Sequence, residues 1–183
     1  MADPTQADPT QAELTQAGVI RAGRLADVDA ILALEALFPT DRMARRTVRR
    51  FLSVPTAQVL VAEDGAGVLV GNLVWLRRAG SRAGRIYSLV VAPTARGQRW
   101  GERLVSAMEA AARAAGCDRA TLEVRADNDA ARTLYGRLGY RQAQALPGYY
   151  EDGADGLRLV KRFGAGPGIG DSAASAGAGA VIP

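Results

Sequence analysis

The stretch from Ile86 to Tyr140 constrains the fold of this chain more than any other part. An apolar strand, Ile86 to Val91, leads through the turn Arg96-Gly97-Gln98-Arg99-Trp100-Gly101 into an amphipathic helix. That helix carries Leu104, Met108, Ala111 and Ala115 on one stripe, and Gly116 is placed to cap its end. A second strand, Arg119 to Arg125, follows, and then a helix that Asp127 would cap and that runs to about Leu138 before Gly139. A strand, a helix and a strand of these lengths suggest a parallel pair joined by a right-handed crossover.

The turn itself has a direct electrostatic reading. A glycine-containing loop running straight into a helix leaves the unpaired N–H groups of the first helical turn facing whatever anion lies there. Gly97 and Gly101 permit close backbone approach or positive φ, and Arg96 and Arg99 add positive charge beside the macrodipole. Taken alone, such a turn serves equally as a plain strand-to-helix connection or as a phosphate site.

Around this unit the elements alternate. A short strand near Val19 to Ala22 precedes a helix around Ala26 to Leu37, with an apolar surface of Val28, Ile31, Leu32, Leu34 and Ala36 and a stop at Pro39. An arginine-rich helix comes next. Ala57 to Glu63 and Val68 to Arg77 read as a hairpin about the Asp64-Gly65-Ala66-Gly67 turn. Final strands near Tyr140 to Ala145 and Leu157 to Phe163 complete a mixed sheet, so the chain reads as one α/β domain over residues 19–163. Residues 1–18, with Ala-Asp-Pro-Thr-Gln repeated in succession, read as a disordered tail, and 164–183 as a flexible Gly/Ala-rich one.

Composition narrows the chemistry. The 183 residues include no histidine and a single cysteine, Cys117. That removes Ser-His and Cys-His nucleophilic arrangements and most transition-metal sites, so no metal is expected. No apolar run approaches the roughly 20 residues that span a bilayer, and the N-terminus lacks the pattern of a signal peptide, so no membrane and a cytoplasmic location are expected. The net charge is +4, and Lys161 is the sole lysine among many arginines. Arg42, Arg45, Arg46 and Arg49 fall at helical spacing opposite Met43, Val48, Phe51 and Leu52. That face is either a solvated one or an attraction for an acidic or RNA-bearing partner such as a ribosome.

Val91-Ala92-Pro93 followed by the Arg96 to Gly101 turn resembles the fingerprint of the GNAT family of acetyl-CoA-dependent N-acetyltransferases. Arg99 stands where that family usually has its middle glycine, so its side chain either points away from the cofactor or joins the phosphate contacts. Leu122-Glu123-Val124-Arg125-Ala126-Asp127-Asn128, then Ala131, Leu134-Tyr135 and Gly139-Tyr140, are similar to the branch of ribosomal-protein alanine and protein N-terminal acetyltransferases. The likeness continues into the Tyr-Tyr loop Pro147 to Gly153. It implies a GNAT-like mixed, mostly antiparallel sheet with a parallel central pair and flanking helices.

The resemblance also implies acetyl-CoA as co-substrate. Leu89, Val90 and Val91 would pair with its pantetheine arm and donate an N–H to the thioester oxygen. Arg96, Gly97, Gln98, Arg99, Trp100, Gly101 and Glu102 would surround the diphosphate, and Asn128 would bond the arm or a phosphate. Glu123 points to the strand face opposite Leu122 and Val124. On residues alone it either takes a proton or pairs with Arg125 or another arginine, and the resemblance assigns it as general base. Tyr135 sits on the apolar stripe Ala131, Leu134, Tyr135, Leu138, where an aromatic is ordinarily core, and the resemblance assigns it as the acid for the thiolate. Phe38, Tyr149 and Tyr150 would frame the acceptor.

The expected reaction is direct attack of an amine on the thioester in a ternary complex, first the α-amino group of a protein or peptide, otherwise a small amine or amino acid. The contrasting class is an acetyl-CoA-binding regulatory or scaffold domain with little turnover. Monomer and homodimer are both compatible with the sequence.

Overall fold

The computed structural model describes residues 18–38 and 42–164. The expected tails, 1–18 and 164–183, lie outside the described residues except for Gly18 and Gly164, and so does the helix stop at Pro39. Among the described residues seven strands form one sheet in the order β1-β2-β3-β4-β5-β7-β6. They are β1 (Val19–Ala22), β2 (Ala57–Glu63), β3 (Leu69–Arg77), β4 (Ala83–Val91), β5 (Arg119–Arg125), β6 (Arg141–Leu146) and β7 (Gly156–Arg162). Four α-helices accompany them: α1 (Val28–Glu35), α2 (Arg45–Phe51), α3 (Trp100–Ala114) and α4 (Asp129–Arg137). Short 3-10 turns at Leu25–Asp27 and Pro93–Ala95 precede α1 and the glycine/arginine turn.

Every neighbouring pair is antiparallel except β4 and β5, the parallel pair that α3 joins. Alternation decides the layers. Leu60 and Ala62 of β2, Leu73 and Trp75 of β3, and Leu122 and Val124 of β5 pack with Leu104, Val105, Met108 and Ala112 of α3. The intervening residues Val59, Val61 and Val74 pack on the other face with Val28 and Ile31 of α1 and Val48 of α2. Thus α1 and α2 cover β2 and β3 on one side while α3 crosses the other.

The buried stripe of α3 ends in a Schellman motif, in which Cys117 N donates to Ala112 O and Gly116 N to Arg113 O, with Gly116 at φ 83°. One expectation is corrected at α4. Asn128, not Asp127, is the cap: its side-chain oxygen accepts from Ala131 N at 3.0 Å, while Asp127 is drawn to the Arg125 guanidinium. A charged partner two residues away holds the aspartate in place of the helix amide.

Candidate active site

Two departures from regular pairing shape the site. β4 and β5 pair only from Ala83↔Arg119 to Arg85↔Thr121, and beyond that point they part. The β5-facing edge of residues 86–91 therefore has no strand partner and is open to an extended ligand arm. β4 also bulges: Val74 pairs with Ser88 but Trp75 with Ile86, leaving Tyr87 unopposed. Such a bulge bends the strand and re-aims its side chains. Tyr87 is exposed, edge-on to Phe51 at the end of α2 with ring centroids 5.0 Å apart.

Leu89, Val90 and Val91, expected to line the cofactor, lie on this open stretch and pair with Leu73, Asn72 and Gly71 of β3 on their other edge. Just beyond it the glycine/arginine turn opens α3. Among the described residues, the main-chain amides of residues 97–102 donate to no backbone acceptor, and the ladder of α3 begins with Arg103 N to Arg99 O. This cluster of free donors at a helix N-terminus suits a diphosphate.

The residues of the turn differ in what they contact. Gly97 sits at φ 79°, and a Cβ there would meet nothing, so conformation and not space calls for glycine. Gly101 answers a close approach instead, since a Cβ would come within 3.2 Å of Leu134 on α4. Arg99 is the one non-glycine residue with positive φ among the described residues, at 61°. Its guanidinium turns to Glu102 at 2.7 Å, so both expected phosphate neighbours engage each other. Trp100 is core: its ring is buried beneath Arg103, and its indole N–H donates to Gln98 Oε1 at 3.1 Å. Arg96 extends over the Phe38 ring at 5.8 Å, linking the turn to the loop after α1.

Glu123 stands on β5 just past the point where the strands part, on the face away from α3. Its carboxylate is 9% exposed and is held from both sides, by Arg85 Nε at 2.7 Å and Arg158 Nε at 3.0 Å. Arg125, the partner named first from the sequence, instead bridges Asp127 and Asp152 and lies over the Tyr150 ring. Arg85 and Arg158 escaped the sequence reading because they come from strands 38 and 35 residues away.

Tyr135 lies on the α3 side, 5% exposed and edge-on to Tyr140 at 5.4 Å. Burial pushes its phenol pKa up, so the group keeps its proton. Asn128, two turns earlier, is exposed at the helix start with its carbonyl oxygen committed to the cap, leaving its amide N–H groups available. Tyr149 and Tyr150 stack edge-on at 5.2 Å in the β6–β7 loop, with Tyr149 exposed and packed against Gly156. Cys117 is buried away from the site, its thiol pKa raised by desolvation. Among the described residues no group of acidic, cysteine or histidine side chains could hold a metal ion, and no helix is long and apolar enough to cross a membrane.

Comparison with known proteins agrees with this geometry. The family model described as the acetyltransferase (GNAT) family matches residues 27–140. An uncharacterized N-acetyltransferase of Methanocaldococcus jannaschii is 32% identical over 140 residues, covering 74% of this chain and 86% of that protein. The Arabidopsis thaliana N-alpha-acetyltransferase MAK3 is 41% identical over 80 residues, 44% of this chain and 42% of its own length. A mycothiol acetyltransferase of Beutenbergia cavernae is 37% identical over 86 residues, 47% of this chain and 29% of its own. In three dimensions the ribosomal-protein-S18-alanine N-acetyltransferase of Escherichia coli superposes with a TM-score of 0.73 at 20% identity, over 83% of this chain and 98% of that one. With the family model spanning well over half of the chain, and a relative alike across most of both lengths, this protein belongs to the GNAT acetyltransferase family.

Proposed function

We propose that this protein transfers the acetyl group of acetyl-CoA to the α-amino group of a protein or peptide in the cytoplasm, by direct attack in a ternary complex. The observation that carries the reading is the parting of β4 from β5, with free α3 amides at one end of the opening and Glu123 beside it. The coenzyme, when bound, supplies an activated acetyl thioester. The amides of residues 97–102 would hold its diphosphate, the free edge of Leu89 to Val91 would pair with its amide-bearing arm and polarise the carbonyl, and the Asn128 amide would contact the arm.

Glu123 takes the proton of the attacking ammonium, through water, at its carboxylate. Tyr135 gives its phenolic proton to the departing thiolate, the phenol being protonated in its buried setting. A new C–N bond forms as the C–S bond breaks. Phe38, Tyr149 and Tyr150 border the acceptor side. A small-molecule amine is the second reading, favoured by the likeness to mycothiol acetyltransferase.

Incubation with acetyl-CoA and a panel of peptides and small amines, reading released thiol, tests the reading. Release with peptides supports it, release only with small amines moves the acceptor class, and coenzyme binding without release refutes transfer. Glu123→Gln should depress turnover most at low pH, where deprotonating the amine is hardest; a wild-type pH profile would remove Glu123 from the reaction.

A further inference from the structure

On the face of the sheet that α3 leaves open, four side chains from four strands form one cross-strand row: Arg85 (β4), Glu123 (β5), Arg158 (β7) and Gln144 (β6). Arg158 is directly opposite Glu123 in the β5–β7 register. Two guanidiniums share one carboxylate, so the triad keeps an uncompensated positive charge. Arg85 turns Nε and Nη2 to Glu123, and Arg158 turns Nε to Glu123 and Nη1 to Gln144. Arg85 Nη1 and Arg158 Nη2 therefore keep donors without an acceptor among the described residues, and both side chains are about two-fifths exposed, at 41% and 42%.

The two sides of the row differ in how their arginines are paired. Arg85 lies against Tyr87, whose ring meets Phe51 at the end of α2. The α2 residues Arg46, Arg49 and Arg50 have no acidic partner among the described residues. On the other side Arg125 is neutralised by Asp127 and Asp152. The unpaired positive charge beside Glu123 is thus that of Arg85 and Arg158.

We infer that the acceptor carries a carboxylate a few bonds from its reacting amine, the amine meeting Glu123 and the carboxylate meeting the free N–H groups of Arg85 and Arg158. This rests on the acetyl-transfer reading above. Arginine is suited to the task because its planar fork can donate to a carboxylate from one edge while another edge stays bound to Glu123. A peptide with Asp or Glu at its first or second position offers this chemistry, and so does a free amino acid.

The test compares kcat/KM for peptides beginning with Asp or Glu against their Asn or Gln counterparts, and for free amino acids against their amides. The expected result is at least a tenfold preference for the acid form in one arm, and that arm names the source. Arg158→Gln should erase most of the preference by raising KM for acidic acceptors, and Arg158→Lys should restore part of it, with acetyl-CoA affinity by calorimetry as the check on folding. Turnover indifferent to the acid overturns this inference alone. Absence of turnover with every acceptor overturns the transfer reading and this inference with it.

Discussion

Arg99 shows how a single residue can break a local rule while the fold holds. A side chain in the left-handed region costs about 1–2 kcal/mol, and the exposed pair that Arg99 forms with Glu102 returns little of it. Arg99→Gly should therefore raise stability by about 0.5–1 kcal/mol, after the entropy that glycine adds to the unfolded chain, seen as a shift of a few degrees in the thermal midpoint. Tyr135 is the opposite case, a residue that follows the local rule by packing in the core. Tyr135→Phe removes only the hydroxyl from that packing. It should lower kcat by about 10²-fold or more, the usual scale of general acid catalysis, while acetyl-CoA affinity in calorimetry stays near wild type.

The elements around the site are tied together by a few polar contacts. α4 begins at Asn128, and Asn128→Ala should cost about 1 kcal/mol by losing the cap to Ala131 N, measurable as a lower urea midpoint. α3 is tied to β7 through buried Glu109, which accepts from Lys161 Nζ at 2.6 Å with Arg113 at 3.6 Å. Tyr140 lies beside this pair, its pKa raised by burial first and by the Glu109 charge next. Lys161→Met would leave the Glu109 carboxylate buried with only the more distant Arg113, and should cost up to about 3 kcal/mol in denaturant unfolding. A single lysine stands out in the sequence, but its partner is on a helix 52 residues earlier, so the pairing could not be foreseen.

For the whole molecule, acid stability follows from depressed carboxylates. The Asp27 pKa is lowered chiefly by its hydrogen bond from Arg21, which also bonds Glu63 and so joins β1, the first 3-10 turn and β2. A depressed folded pKa contributes stability that is present above the unfolded value, about 3.9, and is lost as pH falls through the folded value. The unfolding free energy should therefore drop on acidification below about pH 4, and Asp27→Asn should flatten that slope in denaturant titrations at several pH values. The sequence determined the elements, which face of each strand is apolar and the glycine/arginine turn, because period and turn chemistry are encoded in neighbouring residues; Glu123 and Tyr135 became candidates only through the family resemblance. It could not determine that β7 inserts between β5 and β6, that β4 bulges at Tyr87, or that β4 and β5 part after Arg85. Those features decide that Arg85 and Arg158 meet at Glu123 and that the cleft opens there. They arise from contacts between strands dozens of residues apart, where only the packed sheet brings the partners together.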